Sequence, residues 1–265
     1  MSNPCLPAEI LDHIVDLLHD TEYALMNCCL VSQSWIPRTR KQLFVDIDFF
    51  AAENLQSWKD TFPDPSTSPA RYTKTLFIGC PQVVTAADAE EGGWIRTFSR
   101  VLRLEVNGGD WTDVDEPEVP LAPFHGFSPV VKSLRLGCLT IPPSQIANLI
   151  LSFPLLEDLT VVALDIPIDD NDDVPDGLAT VVHSSNPPTF TGSLVLHLEG
   201  GMNPITRRLL SLPSGLHFRK LDLKWTHKKD VLLTMALVER CCSTLESLKI
   251  DFEPFGTVVR QLHPH

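Results

Sequence analysis

The chain has 265 residues, 43% of them hydrophobic, which is enough apolar material for a folded core and argues against disorder. Its 34 acidic and 21 basic residues give a net charge of −13, so neither nucleic acid nor an anionic membrane surface is expected as a partner. The seven cysteines include no CxxC pair and are typical of reduced thiols. The sequence also lacks a secretory leader pattern and any apolar run of about 18 residues. Together these features predict a cytoplasmic or nuclear protein.

The first predicted element is a helix from Pro7 to about Leu18. Pro7 suits a first helical turn, where its missing N–H is not needed. The apolar side chains of this segment cover about 160° of a helical wheel, although a helix packed against one core needs only about 100°. They are Ile10, Leu11, Ile14, Val15, Leu17 and Leu18. The excess predicts that one side of the helix packs within the chain and the other against a partner.

Two more short helices are predicted before residue 45. One spans about residues 22–30, and the other runs from about Ser32 towards Phe44 and either kinks at Pro37 or begins near Ile36. A module of about 40 residues buries too little surface to be stable alone. It carries neither a metal-ligand pattern nor a disulfide pattern. Association is therefore expected to complete it.

The residues of this module resemble an F-box of the fungal type. The matching positions are Leu6, Pro7, Glu9, Ile10, Leu11, Ile14, Leu18, Leu25, Cys28, Leu30, Val31, Ser32, Trp35, Arg40, Leu43 and Phe44. In that family three helices dock onto a Skp-type adaptor, which links them to a cullin and a RING subunit in a ubiquitin ligase. The resemblance implies an F-box over residues 1–45, with adaptor contacts at Leu6, Pro7, Ile10, Ile14, Leu30, Val31 and Trp35.

Two other interpretations of the same helices are possible. Six apolar residues on one helix are also what a core helix carries, and a helix-turn-helix DNA-binding module has a similar outline. The module has only Arg38, Arg40 and Lys41 as basic residues, beside five acidic residues between positions 9 and 22. That charge balance disfavours contact with DNA phosphates.

Residues 46–70 are predicted as a connector that ends in a proline-rich loop, and residues 71–265 as a repeat domain. Period-two pairs of aliphatic residues recur every 25 to 35 residues and predict strands whose paired side chains form a core. The pairs are Leu76/Ile78, Leu102/Leu104, Leu134/Leu136, Leu159/Val161, Leu194/Leu196, Leu221/Leu223 and Leu248/Ile250. Helical stretches with start signals at Ser144, Asn203 and Asp230 lie between them.

This alternation resembles leucine-rich repeats of an irregular kind. We expect an α/β fold in which an N-terminal three-helix F-box precedes an irregular leucine-rich-repeat-like solenoid of alternating short parallel strands and helices. The Asn or Cys that the family places after each strand is present only as Asn107, which argues against a smoothly curved horseshoe. An α/β domain with a mixed sheet is the alternative.

The residue between the two aliphatic positions of each pair points to the opposite face of the strand. In the repeat family that face lines the binding surface, so the resemblance implies target contacts at Arg103, Arg135, Thr160, Val195, Asp222 and Lys249. Two acidic insertions, residues 110–120 and 165–176, favour a basic target, because residues 163–206 contain no Lys or Arg.

Enzymatic signatures are missing from the sequence. It contains no GxSxG, GxxxxGK[ST], GxGxxG or HExxH motif, and no cofactor or metal site is predicted. The F-box resemblance, taken with this absence, implies a non-catalytic substrate receptor of a Skp/cullin/F-box ubiquitin ligase. A binding scaffold that does not direct ubiquitylation is the alternative.

Overall fold

Eight short strands form one parallel sheet in the computed structural model, and their order in the sheet is their order in the sequence. The described residues are 7–79, 81, 84–90, 93–108, 122–127, 130–139, 143–163, 188–197, 203–212, 215–225 and 230–252. Within them the protein has an α/β fold with helices between the strands. Parallel pairing of strands that are consecutive in sequence requires a crossover between each pair, and described α-helices lie in five of these seven connections.

The strands are β1 Asp46–Phe49, β2 Thr75–Ile78, β3 Arg103–Asn107, β4 Ser133–Gly137, β5 Asp158–Val162, β6 Ser193–His197, β7 Lys220–Trp225 and β8 Ser247–Phe252. The helices are α1 Ala8–Leu17, α2 Glu22–Val31, α3 Ile36–Leu43, α4 Ala52–Thr61, α5 Ala86–Ala89, α6 Pro143–Leu151, α7 Asn203–Leu210 and α8 Asp230–Cys241. None of the described helices combines the length and the hydrophobicity needed to cross a bilayer.

Aliphatic side chains stack across the sheet to form its core. The register aligns one residue of each middle strand in a single row: Leu76, Leu104, Leu134, Leu159, Leu194 and Leu221. Each of these six side chains is at most 1% exposed. A second row, two residues later on each strand, is buried in the same way from Ile78 to Leu223. Period-two alternation in the sequence thus gives a continuous apolar layer on one side of the sheet.

The register corrects the predicted core pair of the third strand. Leu102 was expected in the core but is 40% exposed, and the buried pair of β3 is Leu104 and Val106. Leu102 has the same parity as Leu104 and Val106, but β3 begins only at Arg103. The strand pairs Leu104 with Leu134 and Val106 with Leu136, so the buried pair lies two residues later than predicted. Leu248 also departs from expectation at 45% exposed, since within the described residues β8 has a neighbouring strand on one side only.

The sheet begins inside the range predicted as a connector. Residues 46–70 hold β1, α4 and a 3₁₀ turn at Pro65–Thr67, and β1 pairs in parallel with β2. Phe49 of β1 is 2% exposed and contacts Trp58 of α4, with ring centroids 5.7 Å apart. Phe98 joins the same aromatic cluster at 5.8 Å from Trp58. The connector prediction is therefore corrected: this range closes the first end of the core.

A buried phenylalanine precedes each strand from β3 to β7. These residues are Phe98, Phe127, Phe153, Phe190 and Phe218, and none is more than 2% exposed. Two pairs of them are in ring contact, Phe98 with Phe127 at 6.4 Å and Phe190 with Phe218 at 5.1 Å. Large aromatic side chains therefore fill the space under the sheet at the approach to each strand.

The first three helices form a small unit built around α3. Both α1 and α2 pack on α3, and α3 packs on the 3₁₀ turn Pro69–Tyr72. Thr39 of α3 is fully buried and shares a hydrogen bond with the Cys29 thiol at 3.0 Å. Gln42 donates from Nε2 to Asp16 Oδ1 at 2.7 Å. Of the two predicted options for the third helix, the structure has the start at Ile36, with Pro37 in the first turn.

Candidate functional site

Helix α1 carries two neighbouring apolar stripes with opposite environments. Leu11 and Val15 are 6% and 2% exposed and face the rest of the protein. Ile10 and Leu17 lie seven residues apart on the adjacent stripe and are 48% and 70% exposed. The predicted division of the apolar arc is therefore present in the structure: one stripe is packed and the other is open.

Helix α2 is apolar on its open side as well. Leu25 and Cys28 are buried, whereas Tyr23, Met26 and Leu30 are 75%, 53% and 85% exposed. These three residues are spaced by three and four positions, which places them on one face of the helix. Val31 follows at 68% exposed. Single exposed apolar residues are ordinary, but a face of this kind is typical of a contact surface.

The predicted adaptor contacts differ in how exposed they are. Pro7, Ile10, Leu30 and Val31 are exposed. Ile14 and Trp35 are half-buried, and Leu6 lies outside the described residues. Leu17, Tyr23 and Met26 are exposed on the same helices but were not among the predicted contacts. Leu17 lies one heptad after Ile10, so helical spacing was a sufficient signal for it.

The second candidate surface is the outer face of the sheet. Five of the six predicted target contacts form one row across adjacent strands: Arg135, Thr160, Val195, Asp222 and Lys249. Arg103 lies in the neighbouring row beside Ser133, and Glu105 takes its place next to Arg135. The shift has the same cause as the exposure of Leu102, because the predicted register of β3 was two residues early.

Charges along this row are largely paired. Arg135 Nε lies 3.0 Å from Glu105 Oε1, and Lys249 Nζ lies 3.3 Å from Asp222 Oδ2. His197 Nε2 is 2.9 Å from Asp222 Oδ1. Partial burial raises the pKa of Asp222, but the hydrogen bonds from His197 and Lys249 outweigh it and the net pKa is lowered. Between these pairs, Thr160 and Val195 form an uncharged centre.

The first end of the same face has a different character. Phe50 is 68% exposed and contacts Phe77 with ring centroids 4.9 Å apart. Asp48 lies beside Phe77 in the register. Burial and then the charge of Asp46 raise the pKa of Asp48. Asp48 and Phe50 were missed because β1 was not predicted, although the alternation of residues 46–49 was itself a strand signal. Phe77 lies between the predicted pair Leu76 and Ile78, so its place on this face could have been predicted.

The two acidic insertions lie outside the described residues, so the expected preference for a basic target stays a prediction. Among the residues that are described, no cluster of three or more His, Cys, Asp and Glu side chains could hold a metal ion. The two surfaces differ: α1 and α2 carry exposed apolar side chains, and the outer face of the sheet carries paired charges.

Comparison with protein-family models finds no match, and comparison with curated proteins finds none either.

Proposed function

We propose that this protein is the substrate receptor of a Skp/cullin/F-box ubiquitin ligase, with α1 to α3 as its F-box and the outer face of the sheet as its target surface. The observation that carries the proposal is the open apolar face of α1 and α2. It coincides with the residues that the F-box resemblance assigns to the adaptor at Ile10, Leu30 and Val31.

The energetics favour a protein partner for that face. Burying a half-exposed to fully exposed aliphatic or aromatic side chain is worth on the order of 1 to 2 kcal/mol. Six such side chains are exposed on α1 and α2: Ile10, Leu17, Tyr23, Met26, Leu30 and Val31. Together they offer about 6 to 12 kcal/mol, which is similar in size to the cost of association of about 4 to 15 kcal/mol, whereas exposed charges alone contribute little.

The sheet supports the second half of the proposal. Each strand pairs in parallel with the next strand in sequence, and the aliphatic rows continue from one strand to the next. This order is what an irregular leucine-rich-repeat-like solenoid requires, because each repeat contacts only its neighbours. The row of Arg135, Thr160, Val195, Asp222 and Lys249 then forms a surface on which a target can bind.

The receptor itself makes and breaks no bond in this mechanism. The helices hold the adaptor, and with it the cullin and the charged ubiquitin-conjugating enzyme. The sheet holds the target, so that target lysines are presented at a high effective concentration. The rate increase comes from positioning.

Affinity capture of the tagged full chain from cell extract tests the proposal. We expect adaptor and cullin to be recovered together, and Ile10→Ala with Leu30→Ala to lose both. Leu232→Ala with Met235→Ala is the matched control, because these α8 side chains are also exposed, at 75% and 57%. Recovery of adaptor without cullin would favour the scaffold alternative. Recovery of neither, or equal recovery by the two double variants, would contradict the proposal.

A further inference from the structure

Three adjoining cavities follow the segments that lead into β2 and β3, and two of them are lined in part by α3. The largest, of about 380 Å³, is lined by Lys41, Gln42, Val45, Tyr72, Lys74, Ser99, Arg100, Leu102 and Val130. A second shares Tyr72 with it and adds Arg40 and Arg71. A third shares Ser99 with the first and Arg71 with the second, and adds Arg96. The three together are called the basic groove below.

The charge of the basic groove is opposite to that of the protein. Among the described residues it is lined by six cationic side chains, Arg40, Lys41, Arg71, Lys74, Arg96 and Arg100, and by no Asp or Glu. The whole chain, in contrast, has a net charge of −13. All six cationic residues are exposed. A local field of this sign in an acidic protein attracts anionic groups and repels cationic ones.

These cations are available for a ligand. None of the six forms an ion pair with a carboxylate of the described residues. Arg96 donates to the Ala89 carbonyl at 2.8 Å, and Arg71 lies over the Tyr72 ring at 4.9 Å. Elsewhere on the surface, Arg135, Lys132 and Lys249 each have a carboxylate partner within 3.3 Å.

The floor of the largest cavity is apolar and held in place. Val45, Leu102 and Val130 line it, and Leu102 is the residue whose 40% exposure the sequence did not predict. The Val45 carbonyl accepts hydrogen bonds from Lys74 N at 2.7 Å and Thr75 N at 3.1 Å. The Lys74 carbonyl accepts from Leu102 N at 2.8 Å. A groove fixed by backbone bonds loses little entropy when it is filled.

We propose that the basic groove binds an acidic segment of a partner polypeptide, with carboxylates on the cations and an apolar side chain against Val45, Leu102 and Val130. Its extent over three adjoining cavities fits an extended chain. A nucleic acid fits less well, because its continuous phosphate charge would also meet the acidic remainder of the surface. The groove is distinct from the open face of α1 and α2 and from the outer face of the sheet, so the proposal does not depend on ligase function.

Fluorescence anisotropy on the full chain, without adaptor, tests this proposal. The probe is a fluorescein-labelled glutamate-rich peptide that contains a pair of leucines. Its controls are the same peptide with lysine in place of each glutamate, the same peptide with serine in place of each leucine, and oligothymidylate of equal net charge. We expect binding of the first peptide that weakens with added salt, weaker binding of the serine version and no binding of the lysine version.

Lys74→Glu with Arg100→Glu should weaken binding of the acidic peptide by about tenfold or more, since two attractions become repulsions. Arg207→Glu with Lys220→Glu makes the same change in net charge outside the groove and should leave the affinity within about twofold. Lys41→Ala removes one exposed cation of α3 and should weaken binding severalfold, which keeps the proposal testable if the double variant fails to fold. Equal affinity of the groove variants and wild type, or tighter binding of the oligonucleotide than of the acidic peptide, would overturn the proposal.

Discussion

Replacing Leu11 and Leu17 separately by alanine distinguishes the packed stripe of α1 from the open one with the same chemical change. Leu11 is 6% exposed, and losing three buried carbons removes about 2.4 kcal/mol of transfer free energy, with a cavity term in addition. Leu11→Ala should therefore destabilise the protein by about 3 kcal/mol. Leu17 is 70% exposed, so the same loss is about 0.7 kcal/mol, partly offset by the better helix propensity of alanine.

Thermal unfolding followed by circular dichroism measures the global effect, and hydrogen exchange of peptides covering residues 8–43 measures the local one. Leu11→Ala should increase exchange throughout these helices, and Leu17→Ala should leave exchange close to that of wild type. If the two variants were equally destabilised, Leu17 would be packed in solution. The open apolar face of α1, and with it the argument for a partner, would then be refuted.

Three further predictions concern the core of the sheet, an ion pair on its outer face and an ion pair between α4 and α5. Leu134→Ala, in the fully buried row of the core, should cost about 2 to 5 kcal/mol in chemical denaturation, and a cost below about 1 kcal/mol would contradict the described register. Asp222→Asn should change stability by less than about 1 kcal/mol, because its partners are partly exposed, and a larger loss would make this row a structural rather than a binding feature. Asp88 has a lowered pKa: burial raises it, but the bonds from Lys59 and Thr85 outweigh that effect. Its contribution to stability is present above the ordinary aspartate pKa of about 4 and is lost as pH falls through the lower folded pKa. The stability difference between wild type and Asp88→Asn should therefore shrink in acid, and a difference that grew there would contradict the lowered pKa.

The two-sided character of α1 was predictable because it depends only on helical geometry. The positions of Ile10, Leu11, Ile14 and Leu17 on the wheel already required more than one apolar contact. Which stripe faces inward was not predictable, since that depends on how α3 packs against the helix. The exposed face of α2 could not be predicted for a related reason. Apolar residues lie on both faces of this helix, so the sequence pattern alone does not show which face is exposed.

The strands were predicted more reliably than their register. Leu102 and Leu104 form as good a period-two pair as Leu104 and Val106, and only pairing with the neighbouring strands selects the second. β1 was missed because the prolines after it indicated a loop. The buried phenylalanines could not be assigned from the sequence, because their spacing from each strand varies and only the folded sheet aligns them.

The basic groove could not be found in the sequence at all. Its cations come from three segments, around positions 40, 72 and 98. The net charge of the whole chain is negative, so composition does not indicate a local cluster of positive charge. Only the packing of α3 against the segments that lead into the strands brings them together.

The most direct test of the central claim is calorimetric titration of the purified full chain with a purified Skp-type adaptor. The open face of α1 and α2 predicts a one-to-one complex, and Ile10→Ala with Leu30→Ala should weaken it by about tenfold or more, since the two side chains are 48% and 85% exposed in the free chain. The Leu232→Ala and Met235→Ala control should bind as wild type does. No detectable binding by the folded wild-type chain, or an affinity unchanged by the Ile10 and Leu30 substitutions, would contradict the account.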